Sequence, residues 1–192
     1  KSFFMKKILL LGSTGMLGWQ LLKSLQDLKN YKIFASYKNQ QKLSLLKKNL
    51  KIKKNVIFIK FDINKSSKFN YSNYDYVVNC IGVIKPFINE NNQDSIKNAI
   101  KINSLFPHDL ITKSAKTKVF QIATDCVFDG KKGNYLEFDS HDAEDVYGKS
   151  KSLGEINAKN FINIRCSIIG PELSGHKSLL DWFKFLPLKS KS

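Results

Sequence analysis

Short apolar runs alternate along the chain with segments in which apolar residues recur at helical spacing. A buried parallel strand has a continuous apolar run, whereas a surface helix has apolar residues on one side only. The alternation therefore predicts an α/β fold, a doubly wound parallel sheet of six or more strands. The predicted strands are 7–11, 31–37, 56–61, 74–80, 118–122 and 161–167. A first helix is predicted to start at Leu17, and three more are predicted at 40–50, 94–114 and 145–159. Residues 127–142 are predicted to form a loop.

Length and composition fit a single globular domain. The chain has 192 residues, of which 42% are hydrophobic and 12% aromatic, and such values are typical of folded proteins. Its apolar runs are shorter than the roughly 20 residues that span a bilayer. The first residues lack a signal-peptide pattern, so we expect a cytoplasmic protein with no membrane partner. Met5 is a candidate for the natural start, with residues 1–4 as an extension.

The net charge of +16 at pH 7 raises the question of a nucleic-acid partner. Arg165 is the sole arginine, although arginine is the residue best suited to bidentate contacts with phosphates and bases. The lysines are scattered among many asparagines, so we interpret the charge as a compositional bias and expect no nucleic-acid partner. Cys80, Cys126 and Cys166 are widely spaced and odd in number, which predicts reduced core thiols and no metal site.

A glycine-rich turn follows the first predicted strand and precedes the first predicted helix. This order of elements is the context of a dinucleotide-binding fingerprint, although the spacing G-x-x-G-x-x-G differs from the G-x-G-x-x-G form. Gly12 would permit the tight turn, Gly15 would let a pyrophosphate approach the helix N-terminus, and Gly18 would allow close packing of helix and strand. The sequence therefore predicts a dinucleotide cofactor.

The end of the second strand predicts which cofactor binds. An acidic residue there usually accepts a hydrogen bond from the ribose 2′-hydroxyl of NAD. No Asp or Glu lies between Asp27 and Asp62, and Ser36 and Lys38 take that place. A hydroxyl and an ammonium group suit a 2′-phosphate, so the sequence favours NADP(H) over NAD(H). Asp62, at the end of the third strand, is either a contact to adenine or a plain turn residue.

Tyr147 and Lys151 lie four residues apart in a predicted helix, so both side chains can reach one ligand. The ordinary pKa of tyrosine is near 10, and a neighbouring cation would lower it toward the range useful for proton transfer. In a lysine-rich chain this spacing alone is also compatible with coincidence. Thr124 ends the fifth strand, and ligands bind at the carboxyl ends of strands in an open parallel sheet.

Together these residues resemble the extended short-chain dehydrogenase/reductase superfamily over nearly the whole chain. The resemblance implies that Thr124, Tyr147 and Lys151 are catalytic: Tyr147 donates a proton to a carbonyl oxygen, Lys151 binds the nicotinamide ribose and lowers the pKa of Tyr147, and Thr124 orients the carbonyl. Asp125 and Cys126 would contact substrate. The cofactor-binding residues that it implies are Gly12, Thr14, Gly15, Met16, Leu17, Gly18, Ser36, Lys38, Asp62, Ile63, Asn79, Cys80, Ile81, Gly82, Asn103, Tyr147 and Lys151.

Within the superfamily, TDCVFDG at 124–130 and VYGKSK at 146–151 are similar to dTDP-4-dehydrorhamnose reductases and related sugar-nucleotide reductases. The resemblance implies an NADPH-dependent reductase of a keto group on a nucleotide-activated deoxysugar, in the synthesis of cell-surface polysaccharide precursors, and leaves a homodimer open. It also implies a cofactor-binding domain over 1–176 and, over 177–192, the truncated start of a substrate-binding portion.

Two departures keep alternatives open. Nucleotide-sugar 4,6-dehydratases carry an acidic residue directly after the Thr-Asp pair, where this chain has Cys126, and that difference favours reduction over elimination. The second departure is the missing remainder of the substrate-binding portion. The alternatives are an NAD-dependent nucleotide-sugar epimerase or dehydratase, and a non-catalytic cofactor-binding subunit.

Overall fold

The computed structural model describes residues 5–175 and 178–184, which form one parallel sheet covered by helices. The strands are β1 (Lys6–Leu11), β2 (Tyr31–Tyr37), β3 (Val56–Lys60), β4 (Tyr76–Asn79), β5 (Lys118–Ala123) and β6 (Phe161–Arg165). Their order in the sheet is β3-β2-β1-β4-β5-β6. The strand order reverses between β1 and β4, and a crevice for ligands forms at such a point outside the carboxyl ends of the strands. The predicted fold class is confirmed.

The helices lie on both faces of the sheet. They are α1 (Met16–Leu25), α2 (Gln40–Asn49), α3 (Gln93–Ile100), α4 (Phe106–Thr112), α5 (Val146–Leu153) and α6 (Leu179–Lys184). A π-helical turn, Lys101–Leu105, joins α3 to α4, and single 3₁₀ segments occupy 63–68, 71–73, 85–87 and 125–127. Within the described part of the chain, every helix is too short or too polar to cross a bilayer.

The apolar core consists of two clusters, one on each face of the sheet. Successive strand residues point to opposite faces, so Leu9 and Leu11 belong to one cluster and Ile8 and Leu10 to the other. The three leucines are fully buried. Complete burial of such a side chain contributes about 1.5–3 kcal/mol relative to leaving it exposed. The apolar run that predicted β1 therefore contributes to both clusters.

Several predicted boundaries were wrong, and the helices differ most. The predicted helix 145–159 ends at Leu153 with Gly154 as its C-cap, and Gly154 packs so close to the carbonyl oxygen of Asn103 that a Cβ would overlap it. The predicted helix 94–114 is divided by the π-helical turn. Leu28 lies beyond α1 and is 41% exposed. The predictions for 1–4 and most of those for 177–192 fall outside the described residues.

Candidate functional site

Two cavities at the carboxyl edge of the sheet are lined by most of the predicted site residues. The larger of these two, which we call the catalytic cleft after the predicted catalytic residues that line it, has a volume of about 410 Å³. It is lined by Met16, Leu17, Cys80, Ile81, Gly82, Ile84, Ile122, Ala123, Thr124, Asp125, Cys126, Tyr147, Lys151, Cys166, Ser167, Ile168, Ile169, Ser178 and Leu179. The smaller, the inner pocket, measures about 150 Å³ and is lined by Gly12, Thr14, Ser36, Tyr37, Lys38, Phe61, Ile63, Ile81 and Ile102. Ile81 lines both cavities, so they are adjacent.

Thr124 and Tyr147 meet in the catalytic cleft. Thr124 begins the turn after β5, where its Oγ1 accepts a hydrogen bond from the Cys126 N–H at 3.2 Å and donates to Asp125 Oδ1 at 3.3 Å. Burial raises the pKa of Tyr147, and a hydrogen bond with Thr124 acts in the opposite direction. The net shift is opposite to the lowering expected from Lys151. Tyr147 is therefore a neutral phenol at pH 7, the form that donates a proton.

Lys151 lies deeper in the same cleft and is 7% exposed. Its Nζ donates a hydrogen bond to the backbone carbonyl of Ile122, at 2.6 Å. Burial lowers the pKa of Lys151, and the negative charge of Glu155 opposes that effect. The ammonium group is thus held on a strand carbonyl next to the space that a ligand would enter.

Contacts near the start of α5 hold the helix against the catalytic cleft. Asp145 caps the helix, because its Oδ1 accepts a hydrogen bond from the Gly148 N–H at 2.7 Å while its Oδ2 pairs with Lys85 Nζ at 2.7 Å. A Cβ at Gly148 would overlap the Cys126 carbonyl oxygen and the Ala143 side chain. Only glycine therefore lets the helix approach the Thr124 turn this closely.

Asn103 lies behind the catalytic cleft and holds two of the segments around it in place. It is 2% exposed and sits in the π-helical turn. Its side chain exchanges two hydrogen bonds with the Val83 backbone, at 2.8 and 2.9 Å, and donates a third to Ser150 Oγ at 3.0 Å. π-helical turns frequently occur at functional sites. Asn103 thereby ties the loop after β4 to α5 and positions both, without lining either cavity.

The glycine turn is held by contacts that only glycine permits. Gly12 has φ +79°, and a Cβ at Gly18 would overlap the Gly12 carbonyl oxygen. Ser36 supports the same turn: it is 1% exposed, and its Oγ accepts a hydrogen bond from the Gly12 N–H at 2.9 Å. Its hydroxyl thus already has a partner. Lys38 is the more accessible of the two residues expected at a 2′-phosphate.

Lys38 stands at the rim of the inner pocket with its side chain 71% exposed, and its Nζ lies 3.8 Å from Asp62 Oδ1. Asp62 accepts a hydrogen bond from the Asn64 N–H at 3.1 Å, and this bond is the main cause of its lowered pKa. Asp62 thus serves as a turn cap that pairs with Lys38. The exposed lysine can turn toward an anion at small cost, since such a surface pair is worth about 0–1 kcal/mol.

The N-terminus of α1 differs from those of α2, α3 and α5. Asn39, Asn92 and Asp145 each cap their helix with a side-chain oxygen, whereas Gly15 offers α1 no side-chain cap. The first N–H groups of α1 are therefore open to an anion, which the helix dipole also attracts. This arrangement fits the pyrophosphate of a dinucleotide cofactor. Gly15 acts here through its backbone and lines neither cavity.

The structure thus brings most of the predicted site residues together and separates a few. Gly15, Gly18, Asp62, Asn79 and Asn103 support the cavities from outside their linings. Asn79, for instance, is buried and accepts a hydrogen bond from the Ile81 N–H at 3.1 Å. Sequence reasoning missed Tyr37, Phe61, Ile84, Ile102, Ile122, Ala123, Cys166, Ser167, Ile168, Ile169, Ser178 and Leu179. The rule that ligands bind at strand ends could have found those next to β5 and β6, but the others carry no motif.

The three cysteines all line the catalytic cleft. The prediction of core thiols was wrong for Cys126, which is exposed. Burial raises the pKa of Cys80 to about 12, and burial also raises that of Cys166. In 5–175 and 178–184, no group of His, Cys, Asp and Glu has the arrangement of a metal site.

Arg165 fixes the loop 127–142 beside the cleft. Its guanidinium donates to both carboxylate oxygens of Glu155, at 2.8–3.1 Å, and to the Glu137 carbonyl at 2.9 Å. It also donates to His141 Nε2 at 2.7 Å, so His141 Nδ1 carries the proton that bonds Ser152 Oγ. The sole arginine is therefore occupied by the protein itself.

The family model and the similar structures support the predicted likeness to the extended short-chain dehydrogenases/reductases. A family model described as "RmlD substrate binding domain" matches residues 5–169. The chain belongs to that family. No curated protein matches it at a significant level.

Several solved structures are similar to this chain. A hypothetical dTDP-4-dehydrorhamnose reductase from Sulfolobus tokodaii shares 23% identity at a TM-score of 0.64, over 84% of this chain and 55% of that one. A dTDP-4-dehydrorhamnose reductase from Clostridium acetobutylicum shares 26% identity at a TM-score of 0.54, over 83% and 52%. A UDP-glucuronic acid 4-epimerase from Bacillus cereus in complex with NAD shares 20% at 0.63, over 77% and 49%. The chain therefore spans about half the length of these proteins.

Proposed function

We propose that this chain carries the cofactor-binding and proton-donating part of an NADPH-dependent reductase of a keto group on a nucleotide-activated deoxysugar. The observation that supports it most is that Thr124, Tyr147 and Lys151 line one cleft together with Met16 and Leu17, the first residues of α1 after the glycine turn. The family and the similar reductases support a sugar-nucleotide oxidoreductase. The product would serve as a precursor of cell-surface polysaccharide.

In this proposal the protein supplies position and a proton. When bound, a reduced nicotinamide supplies the hydride. Tyr147 would donate the proton to the carbonyl oxygen, because burial raises its pKa and keeps the phenol neutral. Thr124 would hydrogen-bond the same oxygen and orient it, and Lys151 would bind the nicotinamide ribose beside the Ile122 carbonyl. Asp125 and Cys126 would contact the sugar from the rim.

We further propose that residues 1–176 are the cofactor domain and that 177–192 begin a substrate-binding portion. Within the cofactor domain, Lys38 supports a preference for NADPH, since it is an exposed cation at the rim of the inner pocket whose pair with Asp62 is a weak surface contact. A homodimer remains compatible with these proposals. An NAD-holding epimerase is the second candidate, because an epimerase with bound NAD is among the similar structures. The absence of an acidic residue at the end of β2 counts against it.

The test of cofactor choice is a fluorescence titration of NADPH and NADH with wild type, Lys38→Glu and the control Lys42→Glu. We expect wild type to bind NADPH more tightly. Lys38→Glu should weaken NADPH binding by roughly tenfold, the usual loss when an opposite charge at a phosphate is reversed, and leave NADH less affected. Lys42 is exposed on α2 and lines neither cavity. A wild-type preference for NADH would contradict the proposal.

The test of the reaction is oxidation of NADPH in the presence of a nucleotide-activated 4-keto-6-deoxysugar. Loss of NADPH absorbance with formation of the reduced sugar supports a reductase. Interconversion of sugar epimers without net cofactor oxidation would support the epimerase. Cofactor binding without either reaction would support a non-catalytic subunit.

A further inference from the structure

The lysines are distributed very unevenly between the two parts of the chain. Residues 1–70 contain 16 lysines and two aspartates, whereas residues 71–192 contain 16 basic and 14 acidic residues. A general compositional bias toward lysine explains the total but not this asymmetry. The position of these lysines in the fold therefore determines what the excess charge can do.

Six of these 16 lysines lie at the amino ends of the strands, opposite the catalytic cleft, and three lysines from the rest of the chain lie there with them. We call this surface the amino face. Its lysines are Lys6 and Lys7 at β1, Lys29 and Lys32 at β2, Lys53 and Lys54 at β3, Lys116 and Lys118 at β5, and Lys159 at β6. Five of the six strands thus begin beside a lysine, and β4 begins after Asp75. The strand register places them side by side, with Lys7 opposite Lys32.

Little of this charge is neutralised within the described residues. Asp27 pairs with Lys53, and an Asp75 carboxylate oxygen accepts a hydrogen bond from the Lys7 backbone N–H at 2.7 Å. Like charges on neighbouring strands repel each other. The arrangement therefore opposes folding, and an anionic partner would relieve it. Because the face is opposite the cleft, a partner there would leave the cleft accessible.

The details of the amino face favour an anionic lipid surface over a nucleic acid. Met5 and Leu28 are 45% and 41% exposed among the lysines and could contact the acyl boundary. Arginine, the residue best suited to bases and phosphates, is missing from this face. Its tyrosines are half-buried and engaged with other rings, Tyr31 with Tyr76 for example, so they offer no platform for stacking bases. A recess of about 370 Å³ between the starts of β1 and β5 is lined by Met5, Lys6, Lys7, Ser72, Asn73, Tyr74, Asp75 and Lys116.

We propose that the amino face binds peripherally to bilayers that contain anionic phospholipids, with the catalytic cleft turned to the solvent. The attraction is electrostatic and reversible, because no apolar segment of the face is long enough to insert. The inference does not depend on the proposed reaction. It differs from the expectation of no membrane partner, which rested on the lack of spanning segments and of a signal-peptide pattern.

The experiment is co-sedimentation of the 192-residue chain with vesicles of phosphatidylcholine, alone or mixed with phosphatidylglycerol. The test variant carries Lys7→Glu, Lys54→Glu and Lys116→Glu, one exposed lysine from each of three strand starts. The matched control carries Lys42→Glu, Lys65→Glu and Lys68→Glu, the same change of charge on exposed lysines outside the set that defines the amino face. Circular dichroism and thermal melting confirm that both variants fold.

We expect wild type to bind only the mixed vesicles and to dissociate as salt rises. Each lysine near an anionic bilayer strengthens binding about fivefold, so the test variant should bind on the order of 100-fold more weakly, and the control much less so. Three outcomes would overturn the proposal: no binding to mixed vesicles at low salt, equal binding to neutral vesicles, or equal losses in the two variants. Retention of single-stranded DNA at a salt concentration that releases the vesicles would assign the face to nucleic acid instead.

Discussion

Helices α1 and α5 both begin at the carboxyl edge of the sheet, but they serve the site in different ways. α1 starts at Gly15 without a side-chain cap, so its backbone N–H groups face outward. α5 starts with the Asp145 cap, and its contribution comes from the side chains of Tyr147 and Lys151. One helix offers a dipole and the other offers a phenol and an ammonium group.

The difference shows how one type of element supports two kinds of chemistry. A carboxylate cap stabilises a helix but occupies the position that an anion would take. α5 can have the cap because its ligand is expected to contact side chains on one face of the helix and not the helix end. α1 lacks it because its ligand is expected at the helix end. Substitutions that exchange these properties test the comparison.

The largest effect is expected on α5 itself. Tyr147→Phe keeps the ring packing and removes the proton donor, so turnover should fall by on the order of 10²–10⁴-fold while NADPH affinity changes little. Lys151→Met should reduce both, since it removes the ribose contact as well. NADPH titrations of wild type and both variants under one set of conditions provide the measurement. Wild-type NADPH affinity in Lys151→Met would show that Lys151 does not hold the cofactor.

The next effect comes from giving α1 the cap that α5 has. Gly15→Asp places a carboxylate at the N-cap, where the backbone conformation accepts it and a Cβ meets the Gly12 carbonyl oxygen at an ordinary 3.4 Å. Stability should stay within a few tenths of a kcal/mol. Cofactor affinity should fall by on the order of 100-fold or more through repulsion of the pyrophosphate. Gly15→Ala is the uncharged control, and equal losses in both variants would rule out the electrostatic explanation.

Removing the cap of α5 should cost stability. Asp145→Ala leaves the Gly148 N–H without its side-chain partner and also breaks the pair with Lys85. The free energy of unfolding should fall by about 1 kcal/mol, within the range of about 0.5–2 known for N-caps. Asp94→Ala, at an exposed position in the first turn of α3, should stay within about 0.5 kcal/mol. Urea denaturation of both variants makes the comparison.

The smallest effect concerns pH. A hydrogen bond from Ser167 Oγ to Asp125 Oδ2, 2.7 Å long, is the main cause of the lowered pKa of Asp125. A carboxylate with a pKa below its unfolded value of 3.8 stabilises the fold above that pH, and the contribution is lost as pH falls through the folded pKa. Ser167→Ala should lower Tm by on the order of 1 °C at neutral pH. That difference should shrink as the pH falls below about 4 and disappear once the pH is below the folded pKa, and a constant difference across pH would contradict it.

Features that depend on local chain geometry could be predicted from the sequence. The glycine turn is the clearest example: Gly12 has a positive φ and Gly18 allows close packing, as their positions between β1 and α1 indicated. The strands were predicted within a few residues, because continuous apolar runs report burial directly. The meeting of Thr124, Tyr147 and Lys151 also followed, since strand ends and helix faces have known directions.

Features that depend on distant partners could not be predicted. The hydrogen bond between the Gly12 N–H and the Ser36 hydroxyl, 24 residues away in sequence, could not be read from either segment. α5 was predicted too long, and its end at Leu153 lies where Gly154 packs against the backbone of Asn103. The pKa of Tyr147 was expected to fall, yet burial raises it. In each case the decisive neighbour lies on another element, where periodicity carries no information.

The hydrogen bond from Lys151 to the Ile122 carbonyl limits how many donors Lys151 can offer to a ligand. An ammonium group has three N–H donors, and the strand carbonyl takes one of them. Two donors remain, which equals the number of free hydroxyl groups on the nicotinamide ribose of a dinucleotide. We therefore expect Lys151 to satisfy a vicinal diol without releasing its strand partner. A ligand lacking one of those hydroxyls would leave a buried donor unmatched, so the lysine would also discriminate between ribose and deoxyribose.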